Sequence, residues 1–256
     1  MKNTALLSIF LLFTLTYILK ASPLSLYVVA DDDFPPYSFV KKKKVTGIDV
    51  DIVKEMGRRL NINIKVNLFP WKRLIMMTKT GRCDGSMSLF HSRNREKFAL
   101  FTYPLHYSTF VLFVKKGNEF QYSTIKDLFG KNLAKQSGFI ISEEFDRAVS
   151  NKKIEVSEIF KVRDGIKYTL MEISDGLVAN KHVTLYKLNQ NVNFSTFKDK
   201  FSILPKPIKQ KRAAYFVLSK NAKIKNKANL QKRITGTFRS MDLDGTYQKL
   251  VNSYIY

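Results

Sequence analysis

Ser92-Arg93-Asn94-Arg95, closely followed by Phe101-Thr102-Tyr103-Pro104, is the stretch on which the reading of this chain turns. Upstream lie Asp31-Asp32-Asp33-Phe34-Pro35-Pro36-Tyr37, then Gly47-Ile48-Asp49-Val50-Asp51, then Pro70-Trp71. An arginine presents a planar fork that matches the two oxygens of a carboxylate. Aromatic faces offer apolar contact at low entropic cost and attract cations. With an acid added, the set suits a small zwitterion. The residues are far apart in sequence, so they meet only in a fold that gathers them.

Outward from that stretch, strand and helix signals alternate. A strand is expected over 24–30, ending in the acidic trio, and a helix over 49–60 with Ile52, Val53, Met56 and Leu60 on one face. Asp49 and Asp51 sit where a helix start favours acids. Ile62, Ile64, Val66 and Leu68 alternate with polar residues as a half-buried strand does. A helix over 73–80 stops at Gly81, and a strand follows over 83–89. Beyond a continuous apolar strand at 110–114 the pattern repeats. Helices are expected over 125–129, 142–150 and 164–173, with extended segments at 132–135, 155–160 and 176–179. A late strand at 215–219 precedes helices over 228–241 and 246–254, separated by the Asp244-Gly245 turn. Repeated strand–helix units imply largely parallel sheets covered by helices. Two series of them, with no low-complexity linker between, predict two lobes crossed by extended strands near 108–110 and 204–214.

Composition narrows the class. The chain has 256 residues, 45% apolar, with 20 Phe, which is ample for a core and argues against disorder. Lys2, the apolar run 5–19 and the small residues Ala21 and Ser22 read as a secretory signal. The run is too short to span a bilayer. Cleavage is expected at about Ala21 or Ser22, with an uncleaved anchor as the alternative. Cys83 is the one cysteine, so an internal disulfide is excluded, and it reads as a small buried residue. The net charge of +23 suggests nucleic acid, anionic lipid or an acidic partner. The signal argues against nucleic acid, and the lysines are dispersed. The run Lys41 to Lys44 reads as a solvated turn before Gly47, with weak attraction to an anionic membrane as the other reading.

The order of the motifs resembles the bacterial periplasmic solute-binding proteins for polar amino acids, family 3, the binding components of ABC importers. The matching pieces are Phe34-Pro35-Pro36-Tyr37-Ser38-Phe39, Gly47-Ile48-Asp49-Val50-Asp51-Ile52, Leu74 through Gly81-Arg82-Cys83-Asp84, and Ser92-Arg93-Asn94-Arg95. Phe101-Thr102-Tyr103-Pro104, Leu128-Phe129-Gly130-Lys131 and Asp244-Gly245-Thr246-Tyr247 complete the set. The resemblance spans about 24–254. It implies a type II periplasmic-binding α/β fold: two lobes, two crossover strands and a ligand cleft between them. Lobe one would take 23–109 plus 215–256, lobe two 110–214, and the signal 1–22.

The resemblance also implies roles. Arg95 would pair with the ligand carboxylate; read alone, it is more simply a surface or structural arginine near a helix start. Ser88 and Phe90 would add backbone donors. Phe34, Tyr37 and Trp71 match positions that flank the ligand, the plain alternative being core. Asp31 would face the cleft, with Asp32 and Asp33 as solvated turn residues. Gln136-Ser137-Gly138 would be lobe two's loop. Asn180 stands where the family usually has an aspartate that grips an α-amino group. It carries no charge, so the implied ligand is an amino acid or a related carboxylate. Closure would deliver it to an inner-membrane permease, with the chain acting as a periplasmic monomer.

Enzyme signatures are sparse. His91, His106 and His182 have no metal-ligand spacing, and no nucleophile elbow, phosphate loop or dinucleotide fingerprint occurs. No cofactor or catalytic residue is expected. His106 reads as a strand or loop residue and Asp84 as structural. The alternatives are a sensor that presents its ligand to a membrane receptor, and a dehydratase-like enzyme on the same fold with Asp31, His91 or a lobe-two residue as acid or base.

Overall fold

The structure, a computed structural model, describes residues 23–190 and 198–255, so the expected signal lies outside the described residues. β1 (Ser25–Asp31) leads through the Phe34–Tyr37 turn to a hairpin, β2 (Phe39–Lys41) and β3 (Lys44–Thr46). Lys42 and Lys43 have positive φ at its tip, so the lysine run is this exposed turn. Gly47 then brings the chain against Tyr37; a Cβ there would lie 2.2 Å from the Tyr37 carbonyl oxygen.

α1 (Ile48–Leu60) has acids in its first turn and Arg58 and Arg59 in its last, both favourable to the helix dipole. Asn61, in the left-handed region, ends it. The chain continues through β4 (Asn63–Phe69), α2 (Trp71–Thr80), β5 (Gly85–Phe90) and the short α3 (Arg93–Glu96). A long strand, β6 (Ala99–Lys115), leads to β7 (Asn132–Gln136), α4 (Glu143–Ser150) and β8 (Glu155–Ile159). There follow α5 (Val162–Leu170), β9 (Gly176–Asn180), α6 (Lys181–Gln190), β10 (Phe201–Ile203) and β11 (Lys209–Ser219). α7 (Lys227–Leu243) and α8 (Thr246–Ile255) close the chain.

Apart from the β2–β3 hairpin, the strands form one nine-stranded sheet, ordered β4-β1-β5-β11-β6-β9-β7-β8, with β10 also on β6. It is mixed rather than largely parallel. The triplets β4-β1-β5 and β9-β7-β8 are each parallel, and the antiparallel pair β11–β6 joins them. Ala99 opposes Ser219 at one end of that pair and Lys209 opposes Phe110 at the other. These two strands are the crossings of a two-lobed α/β fold. Leu26, Val28, Ile52, Met56, Leu74 and Met87 are buried in the first lobe, and Leu133, Phe145, Ile159, Ile166 and Leu177 in the second. Cys83 is buried, and burial pushes its thiol up to about 11.

Several elements differ from expectation: the strands β2, β3 and β10 were not anticipated, and the helix expected over 125–129 is a short 3-10 turn, Ile125–Leu128. β6 is far longer than 110–114. Pro104, which has no N–H to give a ladder, sits opposite Tyr215 at a register shift. α6 was not anticipated, because its sequence has little amphipathic pattern.

Candidate functional site

Ser92 caps α3, its Oγ accepting from the Arg95 amide at 3.4 Å, and so turns the Arg95 side chain inward. Arg95 is 4% exposed. Its Nη1 donates to the Phe90 carbonyl at 2.8 Å, and its guanidinium lies 5.2 Å from the Trp71 ring centre. It forms no ion pair among the described residues. Burial first, then the neighbouring Arg212, holds its pKa down at about 10. A cavity of about 270 Å³ opens beside it, lined also by Trp71, Ser92, Asn94 and Gly138.

Arg212 was missed by sequence reasoning, since nothing local marks it. It stands 4.5 Å over the Phe90 ring and donates to the carbonyls of Ile140 and of Ile141, the latter at 2.7 Å. Its donors thus hold the lobe-two loop, whereas most of the Arg95 fork is unspent.

That loop reaches across the cleft. Trp71 Nε1 donates to Gly138 O at 3.2 Å, and Gly138 has φ +76°. A Cβ at Gly138 would meet Trp71 Cδ1 at 3.3 Å, so the contact favours glycine. Phe139, the next residue, lies 4.9 Å from Trp71, 6.3 Å from Phe34 and 6.5 Å from Phe110, centroid to centroid. Phe34 in turn packs at 5.3 Å on Tyr37. The gap left beside Phe139, among Phe34, Gln136 and Asn180, is only about 10 Å³. The Phe139 ring therefore fills the room between the aromatic walls. Sequence reasoning stopped at Gly138; an aromatic directly after it was the available signal.

A buried polar chain runs behind these rings. Ser88, with φ +63°, donates from Oγ to Asp49 Oδ2 at 2.5 Å. Asp49 Oδ1 lies 2.9 Å from His106 Nδ1, and His106 Nε2 lies 3.2 Å from Ser108 Oγ. Asn180 Nδ2 donates to Ser108 Oγ at 2.7 Å, and its Oδ1 accepts from the Val183 amide at 3.1 Å. Tyr37 stacks on His106 at 3.6 Å. Ser88 and Asn180 thus spend their side chains within the protein, and Asn180 caps the start of α6. The Asp49–His106–Ser108 order has the members of a nucleophilic triad, but Ser108 is fully enclosed and ties the crossing strand to lobe two.

Asp31 ends β1 at 2% exposure. Oδ1 accepts from the Asp33 amide at 3.0 Å, while the buried Oδ2 has no partner among the described residues. Burial pushes this carboxyl up to about 7. Beside it, Lys187 of α6 reaches over from lobe two, its Nζ 2.6 Å from Asp33 Oδ2 and donating to Asp33 O at 3.0 Å. Asp33 is therefore an inter-lobe partner and not a solvated turn residue.

The family model for bacterial extracellular solute-binding proteins, family 3, matches residues 26–256. The chain belongs to that family. Among its relatives is the probable amino-acid-binding protein YxeM of Bacillus subtilis, 23% identical over 233 residues, covering 90% of this chain and 83% of the relative. An ancestral arginine-binding protein solved with arginine superposes with a TM-score of 0.76 at 20% identity, covering 92% of this chain and all of that one. A histidine kinase sensor domain superposes at 0.77 and 17% identity, covering 91% and 97%. At such identities the two structures support the fold alone.

In this solute-binding protein the expected residues divide by what they touch. Phe34, Tyr37, Trp71, Phe90, Arg95 and Gly138 join through Phe139 and Phe110 into one cluster across the cleft. Gln136 and Asn180 wall the residual gap, Ser88 turns away to Asp49, and Asp31 stands at the inter-lobe ion pair. Among the described residues no group of three His, Cys, Asp or Glu is placed to hold a metal.

Proposed function

We propose that the mature chain is a periplasmic monomer that captures an amino acid or related small carboxylate between its lobes and hands it to an ABC permease. The observation that carries this is Arg95: a buried guanidinium, without an ion pair among the described residues, with most of its fork unspent beside a ligand-sized space. A buried cation so placed gains most from an anion that brings two oxygens. The orphaned Asp31 Oδ2 supports the same reading from the other sign, since a ligand ammonium would supply the partner it lacks.

Phe34, Tyr37 and Trp71 are the aromatic walls, with Phe90 and Ser88 giving backbone beneath the carboxylate and Gln136, Gly138 and Asn180 closing from lobe two. The lobes are taken as 23–109 with 215–256, and 110–214. The chemistry is binding without turnover, as the family membership favours. The family membership and the amino-acid-binding relative both favour an importer's binding protein.

Phe139 sets a condition on this function: a ligand with a side chain must displace its ring. Opening the loop reduces apparent affinity by the fraction of molecules already open. Phe139→Ala is expected to tighten binding of amino acids by about fivefold or more. It should also move Trp71 emission to the red as the ring beside it is lost. A thermal-shift panel of amino acids and small carboxylates tests the function itself. A ligand at a hundred times its Kd adds about 2.7 kcal/mol of stability. A blank panel for both wild type and Phe139→Ala would overturn the proposal.

A further inference from the structure

A larger cavity than the one beside Arg95 lies elsewhere among the described residues. It measures about 760 Å³ and shares no lining residue with the Arg95 cavity. Tyr37 and His106, stacked face to face, stand at its wall toward the aromatic cluster. Lobe one contributes Tyr103 from β6 and Tyr247 and Tyr254 from α8; lobe two contributes His182 and Tyr186 from α6.

Its chemistry contrasts with the rest of the molecule. The chain carries 44 lysines and arginines, and none lines this space among the described residues. Six of its 12 tyrosines do. The one acid on the wall is Asp242, and two more carboxylates bond to wall residues from outside the lining: Asp51 accepts from Tyr254 at 2.5 Å, and Asp49 pairs with His106. Burial holds the pKa of His182 below its ordinary value, so this histidine adds no positive charge at neutral pH. Arg239, near Tyr103, is outside the lining.

Three of the six tyrosines are also fixed in place by their hydroxyls. Tyr103 donates to Asp242 Oδ2 at 2.7 Å, and Tyr247 donates to Pro104 O at 3.1 Å. Tyr254 is held by Thr46 and Gly47 as well as Asp51. With those hydroxyls anchored, their rings form rigid apolar walls. A cavity of aromatic rings with a carboxylate at its side, lined by no lysine or arginine among the described residues, has the properties that select a cation with an apolar body.

We propose that this cavity is a second ligand site, for an organic cation of the alkylammonium class, distinct from the Arg95 cavity, with Tyr37 standing between the two. Because its walls come from both lobes, its ligand would hold the lobes together at α6 and α8.

The test is calorimetric titration of the mature protein with choline chloride and, as its uncharged isostere, 3,3-dimethylbutanol. The expected result is saturable 1:1 choline binding, weakened about tenfold by Asp242→Asn and by Tyr186→Leu, with the isostere about tenfold weaker. Asp242→Asn keeps an acceptor for Tyr103, and its unfolding temperature checks that the fold is intact. Arg95→Met should leave choline affinity unchanged, which separates this site from the proposed amino-acid cleft. Absence of saturable heat with choline, equal binding of the isostere, indifference to Asp242→Asn, or loss in Arg95→Met would each overturn the proposal.

Discussion

Replacing Arg95 by Met is expected to remove amino-acid binding while leaving the fold in place. Losing a charge-assisted pair inside a buried cleft costs roughly 2–5 kcal/mol, or about thirtyfold to several thousandfold in Kd. Methionine keeps much of the stem that packs on Trp71 and drops only the fork. The free protein loses one hydrogen bond, to Phe90 O, and sheds a buried charge repelled by Arg212. Those two changes oppose each other, so its unfolding temperature should move little beside the loss of affinity. Titration of any ligand found by thermal shift, run on both proteins with their melting curves, makes the comparison. Affinity within twofold of wild type would show that the carboxylate does not sit at Arg95.

Asp31 carries the second large effect, and its sign is unusual for a carboxylate. Its pKa rises from an ordinary 3.8 to about 7 because burial disfavours the charge. Between those values the folded chain keeps a proton that the unfolded chain has lost. Stability therefore falls as pH rises through this window and levels off above it. The ionised group costs the folded state about 4 kcal/mol above pH 7. Asp31→Asn should match wild type near pH 4 and exceed it by about that amount at pH 8, read by urea unfolding. Affinity for a ligand ammonium should run the other way, rising from pH 5 to 8 in wild type and staying flat in the variant. A stability difference that is the same at pH 4 and pH 8 would contradict the account.

What was legible follows from what is local. α1 declares itself by its acids and its apolar face, and β4 by strict alternation, because in each a local periodicity turns one face inward. The sequence around Arg95 was legible for a similar reason: a capping serine, a fork and a following aromatic strand lie within a short span. β6 was read only in its last third. Its first part contains Pro104 and His106, which fit a strand only because a register shift and the buried Asp49 receive them. The lobe-two side of the site was least legible. Phe139, Lys187 and Arg212 are ordinary residues in their own segments, and each gains its role from a partner far away in sequence: Trp71, Asp33 and the carbonyls of 140–141. Asn180 was visible as a departure from the family pattern. That it caps α6 and bonds Ser108 was not, because α6 itself had no signature.

Trp71 is the chain's sole tryptophan, and it touches Arg95, Gly138 and Phe139 at once. Its fluorescence therefore reports on the place where the ligand should enter. The most direct measurement is a Trp71 titration of the mature protein with a panel of amino acids, each paired with the amine that lacks its carboxyl group. The account predicts a saturable change for at least one amino acid and none for its decarboxylated partner. Equal responses to the amine, or no response to any amino acid, would contradict it.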